Sequence, residues 1–236
     1  MVIKSNKRDF KANKLKIGTR GSPLALAQAL EVKKEIIKHN KLDDQSVEIV
    51  SISTKGDRVT DRPLTEIGGK GLFTEEIEHK LFHHEIDIAV HSMKDMPTEF
   101  PAGLGINTFL KREDFRDSFV SLKYNSINEL PVGAVVGSSS IRRKAQLLSI
   151  RSDLKVVEFR GNVQTRLKKL KDGVADATFL ACAGLIRLGL TELVNPISPE
   201  VMMPAIAQGI IGIEQRLNDS EITELLFPLN HQQTKT

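Results

Sequence analysis

The order of apolar and polar positions predicts strands that alternate with helices in the first half of the chain. Ser22 and Pro23 supply an N-cap and a first-turn proline for a helix that runs to about His39. A second helix is expected from Leu72 to about Phe82, because its apolar residues lie near one face. The strands predicted in this half are 14–19, 48–53 and 86–90.

A second series of elements follows a charged connection at 111–117. Its predicted strands are 134–136, 155–159 and 177–180, again separated by helices. One more strand is expected at 210–214, then a short helix that is capped near Asp219 and ends near Phe227, and residues 231–236 carry no predicted element. This alternation predicts an α/β protein with two lobes built on parallel sheets.

Composition limits the class of protein. The chain has 236 residues, of which 40% are hydrophobic, so it can bury a sizeable core. No apolar run approaches the roughly 20 residues of a membrane helix, and residues 1–16 are charged, so a soluble cytoplasmic protein without a membrane partner is expected. The single cysteine, Cys182, excludes an intramolecular disulfide and fits a reducing compartment.

The charge pattern favours small anions over nucleic acid as ligands. The formal net charge is only +4, and the chain has one Tyr, no Trp and no basic stripe interleaved with aromatic residues. Arginine instead recurs at the ends of predicted elements. We therefore expect local capture of anionic groups and no nucleic-acid partner.

The most informative segment is 87–97, where an apolar run ends abruptly in polar side chains. A buried strand of this kind delivers its last residues to the carboxyl edge of the sheet, where α/β proteins place their sites. One hypothesis is that the Asp95 carboxylate is held against Lys94 and His91 and can hold or pass a proton to an amine-bearing substrate. The alternative is that Asp95 caps a short helix and Lys94 is solvated.

Three predicted strand-to-helix corners carry arginine and hydroxyl groups. Free backbone N–H groups at a helix start, together with guanidinium groups, favour carboxylates or phosphates. Recurrence of the pattern predicts a polyanionic ligand between the lobes, whereas the alternative is that Ser only caps the helices and Arg faces water. The corner residues are Arg20 and Ser22, then Ser140, Arg142 and Arg143, then Arg160 and Arg166.

Other candidates carry weaker signals. His79, His83 and His84 have no recognised metal-ligand spacing, so no metal is expected. The glycine-rich loop 68–71 lacks the residues of a phosphate-binding Walker loop, although Lys70 could reach a substrate carboxylate from it. Cys182 lies in an apolar surround that favours a buried and inert thiol.

Taken together, these segments resemble the porphobilinogen deaminase family, whose members are also called hydroxymethylbilane synthases. The resemblance covers the chain from Leu15 to about Asn230. It is carried by TRGSPLA at 19–25, GGKGLF at 68–73, HSMKDMP at 91–97, SSIRR at 139–143, RGNV at 160–163 and QG at 208–209, in the order of the family.

The resemblance implies an enzyme that joins four porphobilinogen molecules into a linear tetrapyrrole and releases ammonia at each step, on a covalently attached dipyrromethane. It implies that Asp95 is the catalytic carboxylate. Other residues would hold acetate and propionate groups. Those implied to bind the cofactor are Lys94, Ser140, Arg142, Arg143, Arg160 and Arg166, and those implied to bind substrate are Arg20, Ser22, Lys70 and Arg187.

The resemblance also implies a two-lobed fold like that of type II periplasmic binding proteins, with mainly parallel sheets flanked by helices. The first lobe would comprise 1–110 with 210–236, and the second 111–209. A third domain, which carries the cysteine that attaches dipyrromethane, is expected to be missing because the chain ends at Thr236 before any such motif. A monomer is expected. The alternative function is a non-catalytic two-lobed binder of anionic pyrroles or polycarboxylates.

Overall fold

The computed structural model describes residues 10, 13–58 and 71–235, and the chain divides into two compact units. Unit 1 is Met1–Lys111 with Ile210–Thr236, and unit 2 is Arg112–Gly209. The described strands are β1 (Leu15–Arg20), β2 (Val47–Ile52), β3 (Ile88–Ser92), β4 (Leu104–Phe109), β5 (Asp117–Ser121), β6 (Val135–Gly137), β7 (Lys155–Val157), β8 (Ala177–Ala181) and β9 (Ile211–Arg216). The described helices are α1 (Pro23–Asn40), α2 (Lys55–Arg58), α3 (Glu75–Phe82), α4 (Ile141–Ile150), α5 (Val163–Lys171), α6 (Cys182–Arg187), α7 (Ser220–Leu226) and α8 (Gln232–Lys235).

The sheet of unit 1 has the strand order β2-β1-β3-β9-β4 in the described residues. β1 pairs in parallel with β2 and β3, whereas β9 is antiparallel to both of its neighbours, β3 and β4. β9 therefore returns to this sheet after the chain has passed through unit 2. It brings a fully buried strand between two strands that precede unit 2 in the sequence.

Helix α1 covers one face of this sheet. It begins where the Ser22 hydroxyl accepts a hydrogen bond from the backbone N–H of Ala25 and ends at Lys41, whose φ of 53° lies in the left-handed region. Its fully buried residues Val32 and Ile36 belong to the same core cluster as Ile17 of β1. The spacing of these buried residues therefore fixes which face of α1 meets the sheet.

The sheet of unit 2 has the order β5-β8-β6-β7 in the described residues. β6 is parallel to β7 and β8, and β5 is antiparallel to β8. Phe119 of β5 and Phe179 of β8 lie in the core with ring centroids 6.2 Å apart. The parallel strands end at the same edge, so the starts of α4 and α5 are brought together.

Most predicted strands and helices coincide with observed ones to within about three residues, and three differences have physical causes. β4 and β5 were not predicted: Asn107 and Thr108 interrupt the apolar pattern of β4, and β5 begins with a buried aspartate, Asp117. The prediction that 231–236 carries no element was wrong, because α8 forms where this segment packs against β4. Antiparallel pairing is also more frequent than the predicted mainly parallel sheets imply.

In the part of the chain that the structure describes, no helix combines the length and the apolar character needed to span a bilayer.

A close packing contact in unit 2 gives a testable expectation for Gly137. A Cβ at this position of β6 would lie 2.3 Å from ring atoms of the fully buried Phe159. We therefore expect Gly137→Ala to destabilise unit 2 by about 1–3 kcal/mol, the usual cost of overpacking. Urea unfolding followed by the fluorescence of Tyr124, the only tyrosine of a chain without tryptophan, measures this in unit 2.

Phe159→Leu supplies the control, because it removes ring atoms that the new methyl group would strike. The double variant should cost less than the sum of the two single variants. Simple additivity would contradict a steric origin of the effect.

Candidate active site

A pocket in unit 1 lies where β1 and β3 end. These strands are parallel neighbours, so Arg20, the last residue of β1, and Ser92, the last of β3, reach the same edge of the sheet. The pocket is lined by these two residues and by Ser22, His91 and Asp95, among others. Four residues that the sequence analysis singled out in separate segments thus share one site with Ser92.

Asp95 lies in a short 3₁₀ turn, Met93–Asp95, that directly follows β3. The turn is anchored by a 3.0 Å hydrogen bond from the backbone N–H of Met93 to the carbonyl oxygen of Ile210. Asp95 is exposed and does not cap a helix, and no described residue forms a hydrogen bond or ion pair with its carboxylate. The pocket therefore contains a carboxylate that is available to a cationic group.

His91 has a different partner from the one that the sequence suggested. Its Nε2 lies 2.9 Å from Oε2 of Glu214 on β9, and both side chains are buried. His91 and Asp95 line the same pocket, but the described residues show no hydrogen bond between them. Lys94 is exposed beside Asp95 and has an interaction partner.

Arg20 is held in place from two sides. Its Nε donates to Oδ1 of Asp57 at 3.1 Å, and its guanidinium stacks 4.0 Å above the ring of Phe73. Burial raises the pKa of Asp57, but hydrogen bonds from Arg20 and Thr54 outweigh it and hold this pKa below its usual value. Arg20 thus presents a fixed positive group at the pocket, and an anionic group of a ligand would meet it with little loss of side-chain entropy.

Lys70 and the neighbouring Gly68 and Gly69 lie outside the described residues. Their expected contribution to the site stays a prediction.

In unit 2, two strand-to-helix corners lie side by side. Ser140 caps α4 by accepting a hydrogen bond from the backbone N–H of Arg143, and Asn162 caps α5 by accepting one from Thr165. The backbone N–H of Phe159 donates to Oγ of Ser139 at 2.9 Å, which joins the two corners. Two helix N-termini with adjacent arginines form an edge that favours anions.

Arg142 and Arg143 share one buried partner, Asp117. Oδ1 of Asp117 lies 2.6 Å from Nη2 of Arg143, and Oδ2 lies 2.7 Å from Nη2 of Arg142. Gln208 adds a hydrogen bond to Oδ1 at 3.0 Å. Arg143 is itself buried, whereas Arg142 keeps part of its side chain at the surface, so these arginines do not simply face water.

The remaining predicted arginines of unit 2 also take part in hydrogen bonds, through the side chains of Arg166 and Arg187 and through the backbone of Arg160. Nε of Arg166 donates to the carbonyl oxygen of Gly161 at 2.9 Å. The carbonyl oxygen of Arg160 accepts from Nζ of Lys169. Arg187, at the end of α6, donates to the carbonyl oxygen of Gly209 at 3.2 Å. All three arginines are half-buried, and the hydrogen bonds of Arg166 and Arg187 restrict the orientation of their side chains.

Three acidic residues that organise the site were missed by the sequence analysis. Asp57 fixes Arg20, Asp117 fixes the arginines of α4, and Glu214 pairs with His91. Only Glu214 carried a local signal, because it is an acidic residue that directly follows the apolar run 210–213 in a predicted strand. The other two lie 37 and 26 residues from their partners, a separation at which sequence alone does not reveal pairing.

Among the described residues, no group of three or more His, Cys, Asp and Glu side chains is placed to hold a metal ion. His79 and His83 stack on each other at the surface, with ring centroids 4.0 Å apart.

Cys182 is fully buried, and burial, followed by the charge of Asp114, raises its pKa to about 11. A thiol in this state carries little thiolate near neutral pH and is a weak nucleophile. We expect Cys182 to react with a thiol reagent at pH 8 at least about 10-fold more slowly than after unfolding in urea. Release of the coloured leaving group from an aromatic disulfide reagent measures both rates, and equal rates would contradict the expected burial.

Comparison with known proteins gives a family and a fold. The family model described as "Porphobilinogen deaminase, dipyromethane cofactor binding domain" matches residues 15–224. The porphobilinogen deaminase of Paracoccus denitrificans is 60% identical over 219 residues, which cover 92% of this chain and 70% of that protein.

Two solved structures resemble the fold at low sequence identity. The methionine binding protein MetQ aligns with a TM-score of 0.56 at 16% identity and covers 94% of this chain and 92% of its own. A periplasmic substrate-binding protein of an ABC transporter from Coxiella burnetii aligns with a TM-score of 0.53 at 15% identity, with 94% of each chain covered. The predicted α/β fold of the type II periplasmic-binding-protein kind is thereby confirmed. The family match and the close relative together show that the chain belongs to the porphobilinogen deaminase family.

Proposed function

We propose that this protein is a hydroxymethylbilane synthase, a transferase of tetrapyrrole biosynthesis that condenses four porphobilinogen molecules with release of ammonia. The family match supports this activity. The observation that carries it is the Asp95 carboxylate, which has no partner among the described residues and lies in one pocket with the fixed guanidinium of Arg20. Porphobilinogen has both an amine and carboxylates, so these two groups match its two kinds of charge.

The chemistry of the proposed reaction assigns a role to Asp95. When the protonated amine leaves as ammonia with the electron pair of its C–N bond, positive charge develops on the methylene carbon and spreads over the pyrrole nitrogen. A carboxylate already in place stabilises this charge without waiting for solvent to reorganise. Asp95 is placed by a turn that is hydrogen-bonded to the backbone before β9, so little motion is needed to bring it to the substrate.

Arg20 and Ser22 would bind a carboxylate of the substrate. Arg20 is oriented by Asp57 and Phe73, and Ser22 stands at the N-terminus of α1, an 18-residue helix. The positive end of the helix dipole adds to the attraction of the guanidinium for an anion. Lys70 would join them from the glycine-rich loop.

The donor set of unit 2 fits the dipyrromethane cofactor of the family. A molecule with several acetate and propionate groups needs several cationic donors close together, and the adjacent corners of α4 and α5 supply them. When bound, dipyrromethane would supply the pyrrole carbon to which the first substrate is joined. The residues of unit 2 that would hold it are Ser140, Arg142, Arg143, Arg160 and Arg166, and Arg187 would bind the growing chain. Lys94 stays an expected cofactor-binding residue.

The proposal includes the organisation of the protein. The lobes would be 1–110 with 210–236 and 111–209, which the division into compact units supports. We further propose a cytoplasmic monomer. A single buried cysteine is typical of proteins in a reducing compartment and supports this localisation.

Incubation of the purified protein with porphobilinogen and dipyrromethane tests the proposed activity. We expect one linear tetrapyrrole for every four ammonia molecules released, with both products quantified in the same sample. Saturable binding of porphobilinogen without either product would instead support the non-catalytic binder of anionic pyrroles. No binding and no product would refute both functions.

A further inference from the structure

One buried acid–base pair has no role in the proposed binding of substrate and cofactor. Glu214 of β9 is fully buried, and its Oε2 lies 2.9 Å from Nε2 of His91 on β3. Burying a carboxylate and an imidazole costs free energy, and removing either partner would leave the other buried without a hydrogen bond. His91 lines the Asp95 pocket and Glu214 lies behind it, and this arrangement points to a role in the reaction.

Only one of the two ring nitrogens of His91 forms a hydrogen bond within the described residues. Nε2 is occupied by Glu214, whereas Nδ1 has no hydrogen-bond partner among the described residues. A neutral imidazole that donates its Nε2–H to a carboxylate has an unshared electron pair on Nδ1. His91 lines the pocket and its side chain is only 5% exposed, so this nitrogen can act as a base inside a mostly buried site.

Charged groups from neighbouring elements face His91 and Glu214. Glu78 of α3 faces the pair, and burial, together with the negative charge of Glu214, raises the pKa of Glu78. Glu78 therefore takes up a proton more readily than an exposed glutamate would. The other charged groups of the pocket are Arg20 from β1 and Asp95 from the turn after β3.

We propose that His91 is a catalytic base, which accepts through Nδ1 the proton that the attacking pyrrole carbon loses, and that Glu214 is the positioning residue that acts through it. This inference rests on the proposed function. Two residues of one pocket would then have different roles, since Asp95 stabilises positive charge and His91 accepts the proton.

The step balances in atoms and electrons. The attacking pyrrole carbon uses a ring electron pair to form a C–C bond to the electron-poor methylene carbon. Its C–H bond then breaks, the electron pair returns to the ring and restores aromaticity, and the proton passes to Nδ1 of His91. Glu214 stabilises the resulting imidazolium across the Nε2–H hydrogen bond, as carboxylates do for catalytic histidines. His91 later returns the proton to water or to the released ammonia.

The kinetic test compares His91→Gln and Glu214→Gln with the wild type. We expect kcat to fall about 100-fold for His91→Gln, which is the lower end of what a general base contributes to the rate. For Glu214→Gln we expect kcat to fall about 10-fold. KM should change by no more than about two-fold in either variant. The acid limb of the kcat profile against pH should disappear in His91→Gln, because a protonated imidazole cannot accept a proton. In the double variant, the loss of Glu214 should have no further effect, since it acts through His91.

Matched substitutions at the surface control for the chemical change itself. His83→Gln and Glu85→Gln alter exposed residues that do not line the pocket, so kcat should stay within about two-fold of the wild type. If His91→Gln and Glu214→Gln lower the melting temperature while kcat and its pH profile stay unchanged, the pair only joins β3 to β9 and the inference is overturned.

A second measurement separates this inference from the proposed activity. Nitrogen-detected NMR of labelled histidine reports which ring nitrogen carries the proton. We expect His91 in the neutral state to carry it on Nε2, to lose this preference in Glu214→Gln, and to shift at Nδ1 when porphobilinogen is added. A proton on Nδ1 in the wild type would overturn the inference even if the tetrapyrrole is formed. If the proton is on Nε2 as expected but no tetrapyrrole is formed, the proposed activity is refuted and the inferred state of His91 is not.

Discussion

Replacement of Asp95 by Asn is expected to lower kcat for tetrapyrrole formation by about 100- to 1000-fold, the usual cost of removing one group that stabilises transition-state charge. The amide has nearly the same size as the carboxylate but no negative charge. Asp95 is exposed and unpaired among the described residues, so its replacement breaks no hydrogen bond that holds the fold. The fall should therefore appear in kcat without loss of stability.

Steady-state rates at saturating porphobilinogen, together with a thermal melt, measure this prediction. Asp44→Asn is the matched control, because Asp44 is a mostly exposed aspartate of unit 1 that pairs with Lys33 away from the pocket. Turnover of Asp95→Asn close to that of the control would refute the catalytic role of Asp95.

The largest effect on stability is expected for Asp117→Asn. Its carboxylate is fully buried and holds both Arg142 and Arg143, so the amide leaves two guanidinium groups without their shared counter-ion. Removal of one partner from a buried ion pair typically costs about 3–5 kcal/mol. Because Arg142 and Arg143 also begin α4, the corner proposed to bind the cofactor should lose its anion affinity as well.

The same interactions predict how the stability of unit 2 depends on pH. Burial raises the pKa of Asp117, but the charge of Arg143 and hydrogen bonds from Arg143, Gln208 and Arg142 outweigh it, so the pKa lies below its usual value. A carboxyl group with a lowered folded-state pKa stabilises the fold above its unfolded pKa of about 3.9, and this contribution is lost as the pH falls through the lower folded value. Asp117→Asn should remove this dependence.

Urea unfolding at several pH values, followed by Tyr124 fluorescence, isolates unit 2 for this test. Asp153→Asn is the control, because Asp153 forms a surface pair with Arg151 in the same unit, and such pairs contribute little. If Asp117→Asn unfolds at the same urea concentration as the control, the buried ion pair does not stabilise unit 2.

The fold could be predicted wherever one local pattern determined an element. The capped start of α1 and the apolar runs of β3 and β8 are of this kind. β4 escaped prediction because its register shifts between Ile106 and Thr108, and such a bulge breaks the alternation on which strand prediction depends. Helix α8 escaped because its residues are polar and its contacts are with β4, which is distant in the sequence.

The candidate site also contains residues that the sequence could indicate and residues that it could not. Asp95, Arg20 and Ser22 could each be singled out from the sequence, because each lies where a strand ends or the next helix begins. The parallel pairing of β1 and β3 then brings them to one pocket. The partners of these residues could not be predicted. Glu214 meets His91 across 123 residues of chain, and the pairing becomes evident only when β9 is seen beside β3.

The position of β9 has a consequence for the order in which the protein is made. The ribosome must synthesise all of residues 112–209 before β9 can enter the gap between β3 and β4. Unit 2 can therefore fold as a unit while the sheet of unit 1 is still open, as expected of domains during translation. The nascent chain gains the Glu214–His91 pair only when β9 has been added, so His91, which lines the Asp95 pocket, receives its buried partner only after unit 2 has been synthesised.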